Sequence, residues 1–290
     1  MTMDAQRLEF LECTANEARQ LVLKTINKSG AGHVGGPLSA IDALVALYFE
    51  VLRIDPQNPT WEDRDRFILS KGHASIALYA VMALRGYLPV DELATFDEIS
   101  SRLQGHPCMK SLPGVDMSSG SLGQGLSPGI GMGLGARMRG KDFHTWVMLG
   151  DGELQEGQVW EAAFVASRYR VDNVTAIVDN NKLQLWGWTK QPACDPRKPI
   201  VAMPNIGAKF AAFDWAVLEI DGHDIMAILD ACAEAKTIRG RPTVIISNTV
   251  KGKGVSFMEN QCAWHAKPPN AEELSKALTE LQAARPKGAR

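Results

Sequence analysis

The chain has 290 residues, of which 45% are hydrophobic and 22% charged, with a formal net charge of −2. That length suits one large domain with a substantial core, and the near-neutral balance holds no large basic excess that would point to nucleic acid or anionic membrane. The longest apolar stretch, Ala40 to Leu52, is broken by Asp42 and Glu50 and is too short to cross a bilayer. The start, Met1-Thr-Met-Asp4, lacks a secretory pattern, so a cytoplasmic protein is expected.

In chain order, Leu8, Leu11, Ala15, Ala18, Val22 and Ile26 keep helical spacing and predict an amphipathic helix over 4–27. A Ser-Gly-His loop follows, and Pro37 is placed to open a second helix that runs to Leu52. Ile76 to Leu84 reads as a short helix, and Asp91 as the cap of another. Thr145–Leu149, Val174–Val178, Ala216–Ile220 and Thr243–Ser247 read as strands, with helical stretches over 154–169, 224–236 and 271–283. Between them, Trp186 to Phe210 carries four prolines and reads as a long loop, functional or packed on a partner. The tail Pro286–Arg290 is expected to fray. Strands alternating with helices imply an α/β fold: a doubly wound, mainly parallel sheet with helices on both faces. Residues 1–290 are expected to form one domain, with ligands beyond the C-terminal strand ends. Cys13, Cys108, Cys194, Cys232 and Cys262 are scattered, with no C-x-x-C pair. They are expected to be reduced thiols rather than a disulfide framework or zinc ribbon.

The strongest local signal is Gly150-Asp151-Gly152 directly after a strand and ahead of a helical stretch. Glycines let backbone approach a phosphate, and a helix start offers free N–H groups. A carboxylate in such a turn would repel phosphate unless a divalent cation lay between, so Asp151 is a candidate Mg²⁺ ligand. The next strand ends in Asp179-Asn180-Asn181, beside the first turn in a parallel sheet. Asn181 offers an amide oxygen and Leu183 a carbonyl, and two diphosphate oxygens and a water would complete an octahedron. Each motif alone also reads as a plain turn or cap; their pairing at successive strand ends favours the metal site.

Gly-Asp-Gly, 27 residues, then Asn-Asn resembles the thiamine diphosphate motif. Four of six histidines follow glycine, at positions 33, 73, 106 and 223. Imidazoles converging at one mouth of the sheet suit proton exchange with hydroxylated sugars. With Ser29–His33, Gly36-Pro-Leu38, Asp65–His73, Gly105-His-Pro107, Gly120–Gly125, Gly150–Gly157, Asp179–Lys182, Lys251–Gly254 and Trp264-His265, nearly the whole chain resembles transketolases.

That resemblance implies Asp151, Asn181 and the Leu183 carbonyl as metal ligands, for Mg²⁺ with Ca²⁺ or Mn²⁺ as substitutes. It implies Gly152 and the loop Gly120-Ser121-Leu122 against the cofactor. His73, Lys251 and His265 would lie near the diphosphate, with Lys71 a weaker candidate, while His33, His106 and His265 face the substrate. Glu156 resembles the acidic residue that helps join the two halves of the site. His223, in Asp221-Gly-His-Asp224, reads instead as a turn feeding a helix capped by Asp224.

Full-length transketolases continue into pyrimidine-binding and C-terminal domains. The resemblance therefore implies a separately encoded partner chain, an α₂β₂ assembly, and transfer of a two-carbon glycolaldehyde unit between sugar phosphates, as in pentose phosphate metabolism. Where transketolases carry an aspartate after Asn-Asn, this chain has Leu185-Trp186-Gly187-Trp188. Those tryptophans would pack a partner or reshape the substrate channel, which leaves branched or sulfonated sugars open. A deoxyxylulose-phosphate-synthase-like or 2-oxoacid component would share the cofactor motif but not this histidine set. A non-enzymatic scaffold is disfavoured by the full set of motif residues.

Overall fold

The structure, a computed structural model, describes residues 3–184 and 203–286. Five strands, β1 (Arg66–Leu69), β2 (Thr145–Gly150), β3 (Val174–Asn180), β4 (Ala216–Asp221) and β5 (Thr243–Asn248), form one sheet in the order β1-β2-β3-β5-β4. All four pairings are parallel. Every strand end of one polarity therefore lies on one side of the molecule.

Side chains alternate across the sheet as strand geometry requires. Trp146, Met148, Ile177 and Ile245 enter one core cluster. That cluster is built with α1 (Ala5–Ser29), α2 (Gly35–Ala46), α3 (Ser75–Arg85), α7 (Ile225–Ala235) and α8 (Ala271–Ala283). Val147, Leu149, Val178 and Ile246 point the other way, under α4 (Leu126–Met138), α5 (Gly157–Arg168) and α6 (Ile206–Ala212). Near-continuous apolar runs in β2 and β3 follow from burial on both faces. Local signals set several boundaries: Asp4 caps α1, Asp224 caps α7 through the N–H groups of Met226 and Ala227, and Asn270 with Glu273 forms a capping box on α8.

Some elements depart from the sequence reading. The second helix starts at Gly35, ahead of Pro37, and loosens into a π-helical turn over Leu47–Val51. Asp91 caps nothing; it lies inside a 3₁₀ turn, Val90–Thr95. β1 has no counterpart in that reading. Neither has α4, whose glycines suggest loop. Gly129 shows why it is a helix: a Cβ there would stand 2.4 Å from Val147 Cγ2, so glycine lets α4 lie close on β2. Ile206–Phe210 begin α6 rather than ending a loop. The rest of that stretch through Met203, and the tail from Lys287, lie largely outside the described residues, Trp186 and Trp188 included. Cys13, Cys108 and Cys232 are free, but Cys262 is disulfide-bonded, against the expectation of reduced thiols. Spacing along the chain does not report which distant cysteines a fold brings together. Among the described residues no helix is long and apolar enough to cross a membrane.

Candidate active site

The C-terminal ends of β1, β2, β3 and β5 each deliver polar residues to one place. β1 leads into Ser70 and Lys71, β2 into Asp151, β3 into Asn181, and β5 into Thr249–Lys251. The Asp151 N–H donates to the Asp179 carbonyl (3.2 Å), which locks the first two expected turns side by side. Above them opens a cavity of about 430 Å³, within the range of small-molecule sites. Its lining includes Asp151, Asn181, Leu183, Gly152 and Lys251, along with Gly120, Leu122 and Glu156. His33, His73, His106 and His265 line it as well. Of the residues singled out in the sequence, Ser121 is not among the lining; it is exposed beside it.

The histidines converge. The His33 ring centroid lies 5.1 Å from His73, 5.2 Å from His265 and 6.4 Å from His106, and His73 stacks on His265 at 5.5 Å. Burial, reinforced by His106, Lys251 and Lys71, lowers His33 to about 4. Burial and Lys251 lower His265 to about 3, and burial with Lys71 holds His73 well below its ordinary value. These three imidazoles are neutral at pH 7. Lys251 is itself lowered to about 8 by burial and by Lys71. Its Nζ lies 2.7 Å from His265 Nδ1 and donates to the Leu183 carbonyl at 3.3 Å. An ammonium donating to Nδ1 makes Nε2 the proton-bearing nitrogen of His265.

Asp151 is 4% exposed. Burial, then the nearby Asp179 carboxylate, raises it to about 6. Such a carboxylate fits a cation that would offset its lost hydration. Asn181 Oδ1 accepts the Leu183 N–H at 3.1 Å, which folds the turn back on itself. Among the described residues no three His, Cys, Asp or Glu side chains could hold a metal by themselves. One carboxylate, one amide and one carbonyl form an incomplete oxygen set, which suits a hard cation that takes its remaining oxygens from a phosphate and water.

Two supporting residues escaped the sequence reading. Asp179, 2% exposed, pairs with Lys71 and also accepts from Ser39 Oγ (2.6 Å) and Thr249. Lys71 and these hydroxyls hold the Asp179 carboxyl below its ordinary range despite burial. A charge ending an otherwise apolar strand was the available signal, since such a group must find a buried partner. Glu153, also 2% exposed, accepts from the Gly123 N–H (2.7 Å), the Gly150 N–H (3.0 Å) and Ser70. It ties the Gly120–Gly125 loop to the Gly-Asp-Gly turn. Burial raises its carboxyl.

Residues 12–285 match the family described as transketolase, thiamine diphosphate binding domain. A 6-deoxy-6-sulfo-D-fructose transketolase subunit of Clostridium sp. (strain MSTE9) is 42% identical over 280 residues, covering 97% of this chain and 98% of the relative. An apulose-4-phosphate transketolase subunit of Phocaeicola vulgatus is 37% identical, with 95% of each chain covered. Among solved structures, the transketolase of Campylobacter jejuni superposes with a TM-score of 0.86 at 32% identity, covering 97% of this chain and 43% of that one. The chain thus spans nearly the full length of those two subunits and about two-fifths of the solved transketolase.

Proposed function

The chain belongs to the transketolase family as its thiamine diphosphate-binding domain, and on that premise we propose that it is the cofactor-binding subunit of a two-chain transketolase. The enzyme moves a two-carbon glycolaldehyde unit from a ketose to an aldose, both as sugar phosphates. The observation that carries this reading is the convergence of four histidines over a buried carboxylate, amide and carbonyl set at adjacent strand ends. Residues 1–290 act as one domain. The pyrimidine-binding and C-terminal domains come from a separate chain, in an α₂β₂ assembly located in the cytoplasm. The relatives' names as subunits support the separate chain.

In this proposal Asp151, Asn181 and the Leu183 carbonyl would hold Mg²⁺, which would offset the charge of the diphosphate. Lys251 would lie beside the diphosphate and offset its charge, and neutral His73 would lie beside it as a hydrogen-bond donor. Gly152, Gly120, Ser121 and Leu122 let backbone approach the cofactor, and Glu156, exposed at the rim, meets the partner chain. When bound, thiamine diphosphate supplies the carbanion chemistry, and the protein supplies orientation and electrostatics. His33, His106 and His265 face the sugar. Neutral His265, with its proton on Nε2, is a donor for a developing alkoxide, and neutral His33 can take a hydroxyl proton. Donors fixed before charge develops need no reorganisation during reaction.

A second substrate reading rests on the relatives: one name carries a sulfonated sugar and the other a branched one. The test is a glycolaldehyde-transfer assay on the paired chains with thiamine diphosphate and Mg²⁺. Xylulose 5-phosphate with ribose 5-phosphate is run against 6-deoxy-6-sulfofructose and apulose 4-phosphate. Turnover of the pentose phosphates supports the first reading, turnover confined to the others supports the second, and none with any sugar overturns both.

A further inference from the structure

The Asp221-Gly-His-Asp224 turn has no part in the cavity, yet its histidine is wired to it. β4 ends at Asp221, and the Gly222 N–H donates to the Asn248 carbonyl at the end of β5 (2.8 Å). A Cβ on Gly222 would stand 2.1 Å from Ser247 Oγ, so only glycine lets the turn seat there. The next residue, His223, is thereby carried across the end of β5 to α2. Its Nδ1 lies 2.7 Å from Asp42 Oδ2, and the Val250 N–H donates to its Nε2 at 2.8 Å. An Nε2 that accepts carries no proton, so the ring is the Nδ1–H tautomer donating to Asp42. Arg19 pairs with the same Asp42 oxygen, and all three side chains are at least nine-tenths buried.

We propose that His223 is a positioning residue for the diphosphate site, fixing the Val250 backbone and so aiming Lys251. Other ties hold the same loop, among them Thr249 N–H to the Asn180 carbonyl (3.2 Å), the Thr249 hydroxyl to the Asp179 carboxylate, Gly252 N–H to the Gly35 carbonyl (3.0 Å), and Asn260 N–H to the Lys251 carbonyl (2.9 Å). The His223 bond holds the N–H of Val250, the residue directly before Lys251, and the Val250 carbonyl accepts, among the described residues, only from within the loop, from the Lys253 N–H (3.2 Å). From Lys251 the side-chain stem runs along Gly35, where a Cβ would stand 2.8 Å from Lys251 Cγ. Its Nζ ends between Leu183 and His265. A long, flexible side chain delivers its charge to a fixed point only if its backbone is fixed. Carboxylate and imidazole together orient the loop as outer partners orient a metal's ligands.

This inference rests on the reading of Lys251 as a diphosphate-binding residue, and the experiment separates the two. In the full-length chain, His223→Asn keeps a donor for Asp42 but no acceptor that reaches Val250, whereas His223→Gln restores an acceptor there. Three quantities are read: amide hydrogen exchange at Val250, thiamine diphosphate affinity with Mg²⁺, and ¹⁵N shifts of the His223 ring in the wild type. The expected result is an unprotonated Nε2 with Val250 exchange rising about tenfold in His223→Asn, and affinity falling about tenfold. Gln should restore both. Added to Lys251→Ala, His223→Asn should cost no further affinity. A protonated Nε2, unchanged Val250 exchange, equal losses with Asn and Gln, or losses that multiply with Lys251→Ala would overturn the proposal. If Lys251→Ala itself leaves affinity unchanged, the diphosphate role of Lys251 falls; if it weakens binding while His223→Asn does not, only the positioning role falls.

Discussion

Asp151→Asn should stabilise the cofactor-free chain while removing its response to Mg²⁺ and thiamine diphosphate. In the folded chain the Asp151 carboxyl is raised from 3.8 to about 6. A carboxyl raised on folding favours the folded state fully below its unfolded value, and that contribution is lost as pH rises through the folded one. Roughly two units correspond to about 3 kcal/mol at pH 7, which the ionised carboxylate costs the empty fold. Asparagine has nearly the same shape and no charge, although its unpaired amide hydrogens would return about 1–3 kcal/mol of that gain. The pH dependence is free of this offset. His33 and His265 are lowered by burial, so they favour the fold above their ordinary value and weaken it as pH falls; the difference between variant and wild type cancels them. Urea unfolding in EDTA from pH 3.5 to 8 should give a difference that grows in favour of Asp151→Asn between about pH 4 and 6 and then levels. At 100-fold excess over their dissociation constant, Mg²⁺ and cofactor should stabilise the wild type by about 2.7 kcal/mol and leave the variant almost unmoved. A flat difference across pH, or a variant that still gains from Mg²⁺, would refute the reasoning.

Other consequences are independent of that one. His106→Ala should spare cofactor affinity in titration and slow turnover by about 10²–10⁴-fold, the usual worth of a placed acid or base; loss of cofactor binding at normal turnover would contradict its place toward the substrate. Thiamine diphosphate affinity should decline as pH rises past about 8, where Lys251 loses its proton, and Lys251→Met should bind weakly with no such decline. Lys71→Met should destabilise the chain by about 3–5 kcal/mol in denaturant, because it strands the buried Asp179 charge; a loss under about 1 kcal/mol would mean that Ser39 and Thr249 suffice.

Much of the fold is legible in the sequence because its longer elements are strongly periodic. A terminal helix near 271–283 is read where α8 lies, and four strands emerge from runs of apolar and β-branched residues. β1 escapes because it has only four residues, and α4 because packing on β2 overrides the low helix propensity of its glycines. Many residues of the cavity are legible: the Gly-Asp-Gly and Asn-Asn turns and the glycine-led His33, His73 and His106 by local pattern, and Gly120, Leu122, Glu156, Lys251 and His265 only through the resemblance to transketolases. What escapes acts through long-range partners: Glu153 bridges three segments, Asp179 needs Lys71 from another strand end, and His223 needs Asp42 from α2. No local pattern announces a partner 108 or 181 residues away.

If this chain holds half of a shared site, turnover depends on the chain that brings the other half. The most direct measurement is the rate of glycolaldehyde transfer as a separately expressed pyrimidine-domain chain is titrated into a fixed amount of this one, with saturating thiamine diphosphate and Mg²⁺. No turnover without the partner, rising to a plateau at one partner per chain, is the predicted result. Full turnover by this chain alone, or none at any ratio while cofactor stays bound, would contradict it.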